Sequence, residues 1–334
     1  MKAVVTGATG FIGSVLCRDL HDRGWNIRAL VLPGEDYGHI APQITEAVSG
    51  NIMRPDSLAD FAEGADVVFH LAARVLDYGS RKQFYDPILG GTRNVLAACA
   101  GKAIRFVQVS SMAACGLGRH LKGQTENDPC CKSGVPYNDA KLDAEAEVRR
   151  YHDRFEQGTT IVRPANVVGP RSAWVDEVCR QLWKVTGLPL IDGGRHSASL
   201  VYVDNLVDGI IRAGTCAEAS GQIYHLRDDW QVTWERYLND IAALVGKKPR
   251  GQVPFRVAWH VGGMVERLCI PLGLRPPLTR LAAGVMGRDN DVCNTKAKAE
   301  LGWKTRVTYE TGMACIASHV TNTILPELVG ETSP

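Results

Sequence analysis

The stretch Lys2-Ala-Val-Val-Thr-Gly-Ala-Thr-Gly-Phe-Ile-Gly13 constrains this chain more than any other. An apolar run from Ala3 to Val5 predicts a buried parallel strand, glycines follow at Gly7, Gly10 and Gly13, and a helical pattern begins near Ser14. Strand, glycine turn and helix together make a phosphate cradle. The first glycine permits a tight turn and the middle one lets the backbone approach a pyrophosphate. The third lets the helix pack close to the strand, leaving helix N-terminal N–H groups aimed at the anion. Three glycines at this spacing also occur in ordinary turns. Their place directly after a strand, with a full strand–helix–strand unit behind them, is what points to a nucleotide site.

The pattern behind the loop keeps alternating. Strands are predicted over Trp25 to Leu32, Ala47 to Ser49, Asp66 to Leu71, Ile104 to Ser110 and Thr159 to Arg163. Helices are predicted over Ser14 to Asp22, Ser57 to Ala62 (capped by Asp56 or Ser57), Gly91 to Ala100 and Tyr137 to Phe155. That order predicts an α/β fold, a doubly wound parallel Rossmann sheet with right-handed crossovers and the cofactor outside the carboxyl ends of its strands. Residues 1–170 form the dinucleotide-binding domain on this reading, with a strand and helix returning to it over about 198–230. A smaller C-terminal α/β region for the substrate comprises 171–197 and 231–330, with a short polar tail at 331–334. In it, Ala198 to Val203 is strand-like, Asn205 to Ala213 helical, and Thr233 caps a helix running to Val245.

At 334 residues the chain can bury a large core, and 45% hydrophobic with 22% charged residues is ordinary for a globular protein. A net charge of +2 with scattered basic residues gives no footprint for nucleic acid. Met1 leads straight into the first strand without a basic leader and long apolar stretch, so a cytoplasmic location is expected. The ten cysteines include no Cys-x-x-Cys pair, and the neighbours Cys130 and Cys131 are too strained to be a usual bridge. Reduced thiols and no metal site are expected. Pro254 to Gly287 is apolar but interrupted by Arg256, Glu266, Arg267, Arg275 and Arg280, so no window of about twenty residues spans a bilayer. It reads as a helical lid over an apolar pocket or plain core; peripheral contact with a membrane surface is the alternative.

The chemistry lies in Tyr137-Asn-Asp-Ala-Lys141. On a helix, positions i and i+4 share a face, so the Tyr137 hydroxyl and the Lys141 ammonium reach one reacting centre. A free tyrosine ionises near pH ~10, and a cation held close by favours its phenolate. Such a tyrosine takes the proton of a secondary alcohol, or gives it back to a ketone. Ser110 and Ser111 end a strand at the carboxyl edge, where a hydroxyl can hold the substrate oxygen. His70 reads as a satisfied strand-end histidine, Arg171 as a surface or structural residue, and Trp174, Trp183 and Trp234 as core.

Thr6 to Gly13, His70-Leu-Ala-Ala73, Val109-Ser-Ser111, Tyr137-x-x-x-Lys141 and Arg163-Pro-Ala-Asn166 stand in the order and spacing of the extended short-chain dehydrogenase/reductase family. The chain resembles that family over nearly its whole length. Its C-terminal half resembles the branch of 3β-hydroxysteroid dehydrogenases, decarboxylating sterol dehydrogenases and dihydroflavonol reductases, through Val201-Tyr-Val-Asp-Asn205, Val232-Thr-Trp234, Pro276-Pro-Leu-Thr-Arg280 and Lys298-Ala-Glu-Leu-Gly-Trp303. The resemblance implies Tyr137 as general acid/base, Lys141 as its electrostatic partner and ribose ligand, and Ser111 as donor to the substrate oxygen. It implies that Gly7, Thr9, Gly10 and Gly13 frame the phosphate loop, with Phe11 and Ile12 offering backbone N–H groups. Asn51 and Ile52 lie by adenine, and Leu71, Ala72 and Ala73 along the ribose and nicotinamide side. Pro164 lies by the carboxamide, and Asn166 faces the substrate.

Two departures stand out. The family often has an asparagine where this chain has Ile88, four residues before Thr92. After the second strand the chain has Val31-Leu32-Pro33 followed by Glu35 and Asp36, with no adjacent arginine. Acidic residues there repel a 2′-phosphate, which favours NAD, with NADP the alternative. The expected activity is hydride transfer between a nicotinamide and a secondary alcohol or ketone on a largely apolar small molecule. Its rival is a nucleotide-sugar 4-epimerase or dehydratase using the same Tyr, Lys and Ser; a non-catalytic NAD(P) sensor ranks last because both Tyr137 and Lys141 are present. A homodimer is expected, with Ala97, Ala98, Ala140, Ala144 and Ala146 allowing close approach of paired helices.

Overall fold

The computed structural model describes residues 1–155 and 158–330; the polar tail at 331–334 lies outside the described residues. The first half runs β1 (Lys2–Thr6), α1 (Phe11–Asp22), β2 (Asn26–Val31), β3 (Glu46–Ser49), β4 (Val67–His70), α2 (Arg81–Tyr85), α3 (Gly91–Cys99), β5 (Arg105–Val109), β6 (Leu121–Gln124), α4 (Pro136–Phe155) and β7 (Thr159–Pro164). The second runs β8 (Asn166–Val168), α5 (Ala173–Trp183), β9 (Leu190–Ile191), β10 (Leu200–Tyr202), α6 (Val203–Thr215), β11 (Ile223–Leu226), α7 (Trp234–Leu244) and β12 (Gln252–Val253). It continues with α8 (Phe255–Cys269), α9 (Arg280–Met286), β13 (Asn290–Val292), α10 (Thr295–Leu301), α11 (Tyr309–His319) and α12 (Leu325–Gly330).

Seven strands form one sheet in the order β11-β7-β5-β4-β1-β2-β3, every neighbouring pair parallel. Both faces are covered, which is why the strands are continuous apolar runs rather than alternating ones. On one face Leu16 and Leu20 of α1 pack with Leu206 and Ile210 of α6. On the other, Leu96 of α3 and Val148 and Tyr151 of α4 cover Val68 and Phe106. The doubly wound sheet is therefore the one expected; α6 packs back on it and β11 adds a strand beside β7, whereas β10 pairs with β8 in a separate two-stranded sheet.

The C-terminal region has its own core, in which Trp174 lies 4.9 Å from Trp234 and Tyr237 packs edge-on to Trp234. Thr233 caps α7 as expected, accepting from Arg236 N at 3.2 Å. Asn205 fastens this region to the sheet. Its amide donates to Asp228 Oδ1 at 2.9 Å, its Oδ1 accepts from the backbone of Arg306 and Val307, and its carbonyl accepts from the buried Trp303 Nε1 at 2.7 Å.

Some local expectations were off. Instead of a helix over Ser57 to Ala62 there is a single 3₁₀ turn, Pro55–Leu58. The Ser57 hydroxyl accepts from Asn51 N at 2.9 Å, holding the turn to the preceding loop rather than capping a helix. Among the described residues no helix is long and apolar enough to cross a membrane.

Candidate active site

The loop between β1 and α1 is built as its glycines dictate. Gly7 takes φ +69°, and a Cβ there would stand 2.9 Å from Ala72 N; a Cβ at Gly13 would stand 2.0 Å from the Gly7 carbonyl. Gly10 is the N-cap of α1, without a side-chain cap, and the first helix turn holds no acidic residue. The first intrahelical bond is Ser14 N to Gly10 O, so the N–H groups of Phe11, Ile12 and Gly13 remain for an incoming anion. This cradle fits a pyrophosphate.

Around the cradle, Thr9 Oγ1 donates to Glu35 Oε1 at 2.6 Å and Leu32 N donates to Glu35 Oε2 at 2.8 Å. One carboxylate thus closes the end of β2 against the glycine loop. Asn51 and Ile52 follow β3, and the Ile52 carbonyl accepts from Asn94 Nδ2 at 2.8 Å. An amide two positions beyond Thr92 therefore tethers the loop after β3, while the place held by Ile88 is buried apolar core. Leu71 and Ala72 hang on β1 through Thr6 O and Thr6 Oγ1, each at 3.2 Å, and Ala73, like Tyr137, packs against the cluster of Phe84, Ile88, Ala140 and Ala144. Pro164 ends β7.

Tyr137 stands in the first turn of α4, edge-on to Phe84 with ring centroids 6.0 Å apart. Its hydroxyl lies close enough to Ser111 for that side chain to favour its ionised form, and Ser111 Oγ accepts from Ala113 N at 3.1 Å. Lys141, one turn on, is buried and donates to Val109 O at 2.9 Å; its Nζ lies 6.0 Å from the Tyr137 ring centre. The three expected residues are therefore brought together at the carboxyl ends of β5 and β7.

Their electrostatics depart from the simplest expectation. Burial pushes the Tyr137 hydroxyl above its ordinary value, and Ser111 pulls it back. Burial lowers Lys141 to about 8, and the charge of Glu145 opposes that. The phenol is thus protonated at neutral pH, suited to giving a proton to a ketone oxygen.

Beneath Lys141 lies a network that sequence reasoning missed. Glu145 is fully buried, accepts from Ser110 Oγ at 2.5 Å, and takes Arg163 in a fork, Nε at 2.9 Å and Nη2 at 2.7 Å. Arg163 Nη1 reaches His225 Nε2 at 3.2 Å. The missed signal is spacing: Tyr137, Lys141 and Glu145 are i, i+4 and i+8 on one helix face. His70 is, as expected, a satisfied strand-end histidine, 2.7 Å from Thr6 Oγ1 and 3.1 Å from Thr92 Oγ1. Burial and then the Lys141 charge push it down to about 3, so it is neutral. Asn166 is buried in β8, where its amide donates to Ala198 O at 2.7 Å.

A cavity of about 310 Å³ opens beside Tyr137. Phe84, Val135, Ile270, Pro271 and Leu281 give it apolar walls, and Glu266, bound to Arg280 Nε at 2.8 Å, closes one side. A larger cleft of about 510 Å³ lies at the amino ends of β5 and β7, by Arg105 and Gly158, away from this chemistry. Parallel sheets bind ligands at the opposite, carboxyl edge.

The model of the NAD dependent epimerase/dehydratase family matches residues 3–226. The chain belongs to that family. Among the extended short-chain dehydrogenases/reductases of this kind, it is 30% identical over 320 residues to 4-hydroxy-2-methyl-3-oxo-4-farnesyl-3,4-dihydroquinoline-1-oxide ketoreductase of Stigmatella aurantiaca, covering 94% of this chain and 95% of that one. It is 26% identical to 2-alkyl-3-oxoalkanoate reductase of Stenotrophomonas maltophilia, covering 94% and 97%. The fold matches UDP-glucose 4-epimerase of Thermotoga maritima with a TM-score of 0.78 at 19% identity, covering 97% and 99%. As a member of the epimerase/dehydratase family, the chain is a nicotinamide-dependent oxidoreductase acting on hydroxyl and keto groups.

Proposed function

We propose that this enzyme reduces a ketone carried on a largely apolar small molecule, with NADH as its coenzyme. The observation that carries the reading is Tyr137, grouped with Ser111 and Lys141, lining a cavity walled by Phe84, Ile270 and Leu281. The nicotinamide, when bound, supplies hydride to the carbonyl carbon. Ser111 holds the substrate oxygen, and the Tyr137 hydroxyl gives it the proton that completes a secondary alcohol. Lys141 keeps a positive charge beneath the cofactor ribose and the developing phenolate. α8 and the 3₁₀ turn that follows it supply one wall, which favours the lid reading of the apolar stretch. Relatives named as ketoreductases support the same reading.

Glu35 supports NAD over NADP, because its carboxylate, held by Thr9 Oγ1 and Leu32 N after β2, would repel a 2′-phosphate brought to that strand end. Like charges a few ångströms apart near a protein surface differ by about 2–4 kcal/mol, so NADH should be preferred at least about 10-fold in kcat/KM. The test is nicotinamide absorbance with each coenzyme against alkyl ketones, β-keto acids, sterol ketones and nucleotide sugars. Oxidation of NADH by an apolar ketone, and a smaller coenzyme preference in Glu35→Ser, are expected. Unchanged absorbance with an altered nucleotide sugar would replace this reading by a transient-hydride epimerase or dehydratase.

Ten unpaired cysteines support a reducing, cytoplasmic setting. A homodimer through α3 and α4 belongs to the same reading, with a correction to its sequence argument. Ala140 and Ala144 are buried within the protomer against Phe84 and Ile88, leaving the exposed Ala97 and half-buried Ala98 and Ala146 for a partner. Light scattering at low protein concentration is expected to give twice the chain mass; a monomer excludes the dimer.

A further inference from the structure

Three segments far apart in sequence converge outside the Tyr137 cavity. His120 directly precedes β6 and Asp289 directly precedes β13, and these strands pair in parallel, with Leu121 N bonded to Asp289 O at 2.7 Å. His196 precedes β10, and its carbonyl accepts from Trp234 N at 3.0 Å. The backbone therefore fixes all three residues.

Their side chains face one another. His120 Nδ1 lies 3.0 Å from Asp289 Oδ2 and His196 Nδ1 lies 3.1 Å from Asp289 Oδ1. The imidazole centroids are 5.2 Å apart, and one donor atom from each residue falls within 4.8 Å of the others. Ligands at about 2.0–2.2 Å from a tetrahedral zinc stand about 3.4 Å from each other, so the two histidine–carboxylate distances already lie within a few tenths of an ångström of coordination, and the widest pair of donor atoms has to close by roughly 1.4 Å through side-chain rotation.

A second observation points the same way. The His196 side chain is only 7% exposed, and its Nε2 has no hydrogen-bond partner, although Asp192 Oδ2 stands 3.7 Å away. A ligating histidine characteristically turns its outer N–H toward a carboxylate, which fixes the tautomer and raises its basicity. Asp192 is placed to do this for His196, while Nδ1, which pairs with Asp289, faces the position of the ion. His120 is 44% exposed, so the fourth position opens to water.

From this geometry we propose that His120, His196 and Asp289 bind one borderline divalent transition-metal ion of the zinc and cobalt class, with Asp192 orienting His196. Two imidazoles and one carboxylate select such ions over Mg²⁺ and Ca²⁺, which take oxygen ligands. The neighbouring cations leave room for it. Lys122 Nζ is 3.8 Å from Asp289 Oδ2 but 77% exposed, free to swing into solvent; Arg195 and Arg288 face Asp192 instead. The ion would clasp the β6–β13 ribbon to the segment leading into β10. Sequence spacing gave no hint of it because no two of the ligands share a local motif.

The test is Co²⁺ titration of the full-length chain, stripped of metal and kept reduced, followed by visible absorption and by melting temperature. One Co²⁺ per chain is expected, with ligand-field bands, no thiolate charge-transfer band, displacement by Zn²⁺ and no competition from Mg²⁺. His120→Gln, at an exposed position, and Asp289→Asn should each abolish the bands and the metal-dependent rise in melting temperature. Asp192→Asn should weaken binding about 10- to 100-fold. Absence of binding, a thiolate-type spectrum, or undiminished binding by His120→Gln would overturn the proposal and leave a His–Asp–His hydrogen-bond chain.

Discussion

Tyr137→Phe is expected to lower kcat for ketone reduction about 10²- to 10⁴-fold while leaving NADH binding within a few-fold of the parent. The phenyl ring keeps the edge contact with Phe84, whose centroid lies 6.0 Å away, so the wall of the cavity survives. What disappears is the hydroxyl beside Ser111, the group proposed to give a proton to the substrate oxygen. Ser111 would still hold that oxygen, but the alkoxide left by hydride addition would have no tyrosine hydroxyl to protonate it. Steady-state kcat and fluorescence titration with NADH separate the two effects; kcat within about 3-fold of the parent would sink the assignment. In the parent, activity should also decline as pH rises through about 8. Burial has lowered Lys141 to that value, so above it the cation beneath the tyrosine is lost.

Arg163→Met should be the most destabilising single change near the site, by about 3–5 kcal/mol, because it leaves the charge of Glu145 buried without its partner. Both side chains are shielded, Arg163 at 1% and Glu145 at 0% exposure, so solvent cannot relieve the imbalance. The Ser110 hydroxyl alone would remain on the carboxylate. A second change, Glu145→Leu, removes the stranded charge and should recover more than half of the loss, since buried pairs are often replaceable by apolar residues. Denaturant unfolding of the parent, both single variants and the double variant measures this. Equal stability of Arg163→Met and the parent would mean that the ion pair contributes nothing.

Which of these features could be read from the chain alone depends on how local they are. The glycine loop is local: strand, turn and helix succeed one another within thirteen residues, and Gly7 and Gly13 carry steric demands that other residues cannot meet. Tyr137 and Lys141 are local too, being one helical turn apart. Ser111 required the further idea that a parallel strand delivers its carboxyl end to the site. Glu145 was within reach on the same helix face, but its partner Arg163 comes from β7, and only the strand order puts β7 beneath α4. The β6–β13 ribbon joins a strand of the first half of the chain to one near the end of the second, and its short, partly polar strands carry no periodic signal. Ala140 and Ala144 show the reverse error. Small residues on a helix signal close packing but not with what, and here α2 and the segment after it occupy that face.

The place of β11 at the end of the seven-stranded sheet has a consequence for how the protein is made. β7 ends at Pro164, yet its outer edge stays bare until Ile223–Leu226 arrive, and Asn205 cannot complete its bonds until Arg306 and Val307 do. During synthesis the nucleotide half therefore leaves the ribosome unfinished, with an open strand edge that invites pairing with other chains. The two regions distinguished in the sequence thus share a sheet edge and a set of bonds, and a cut between them is expected to leave a fragment with that strand edge exposed.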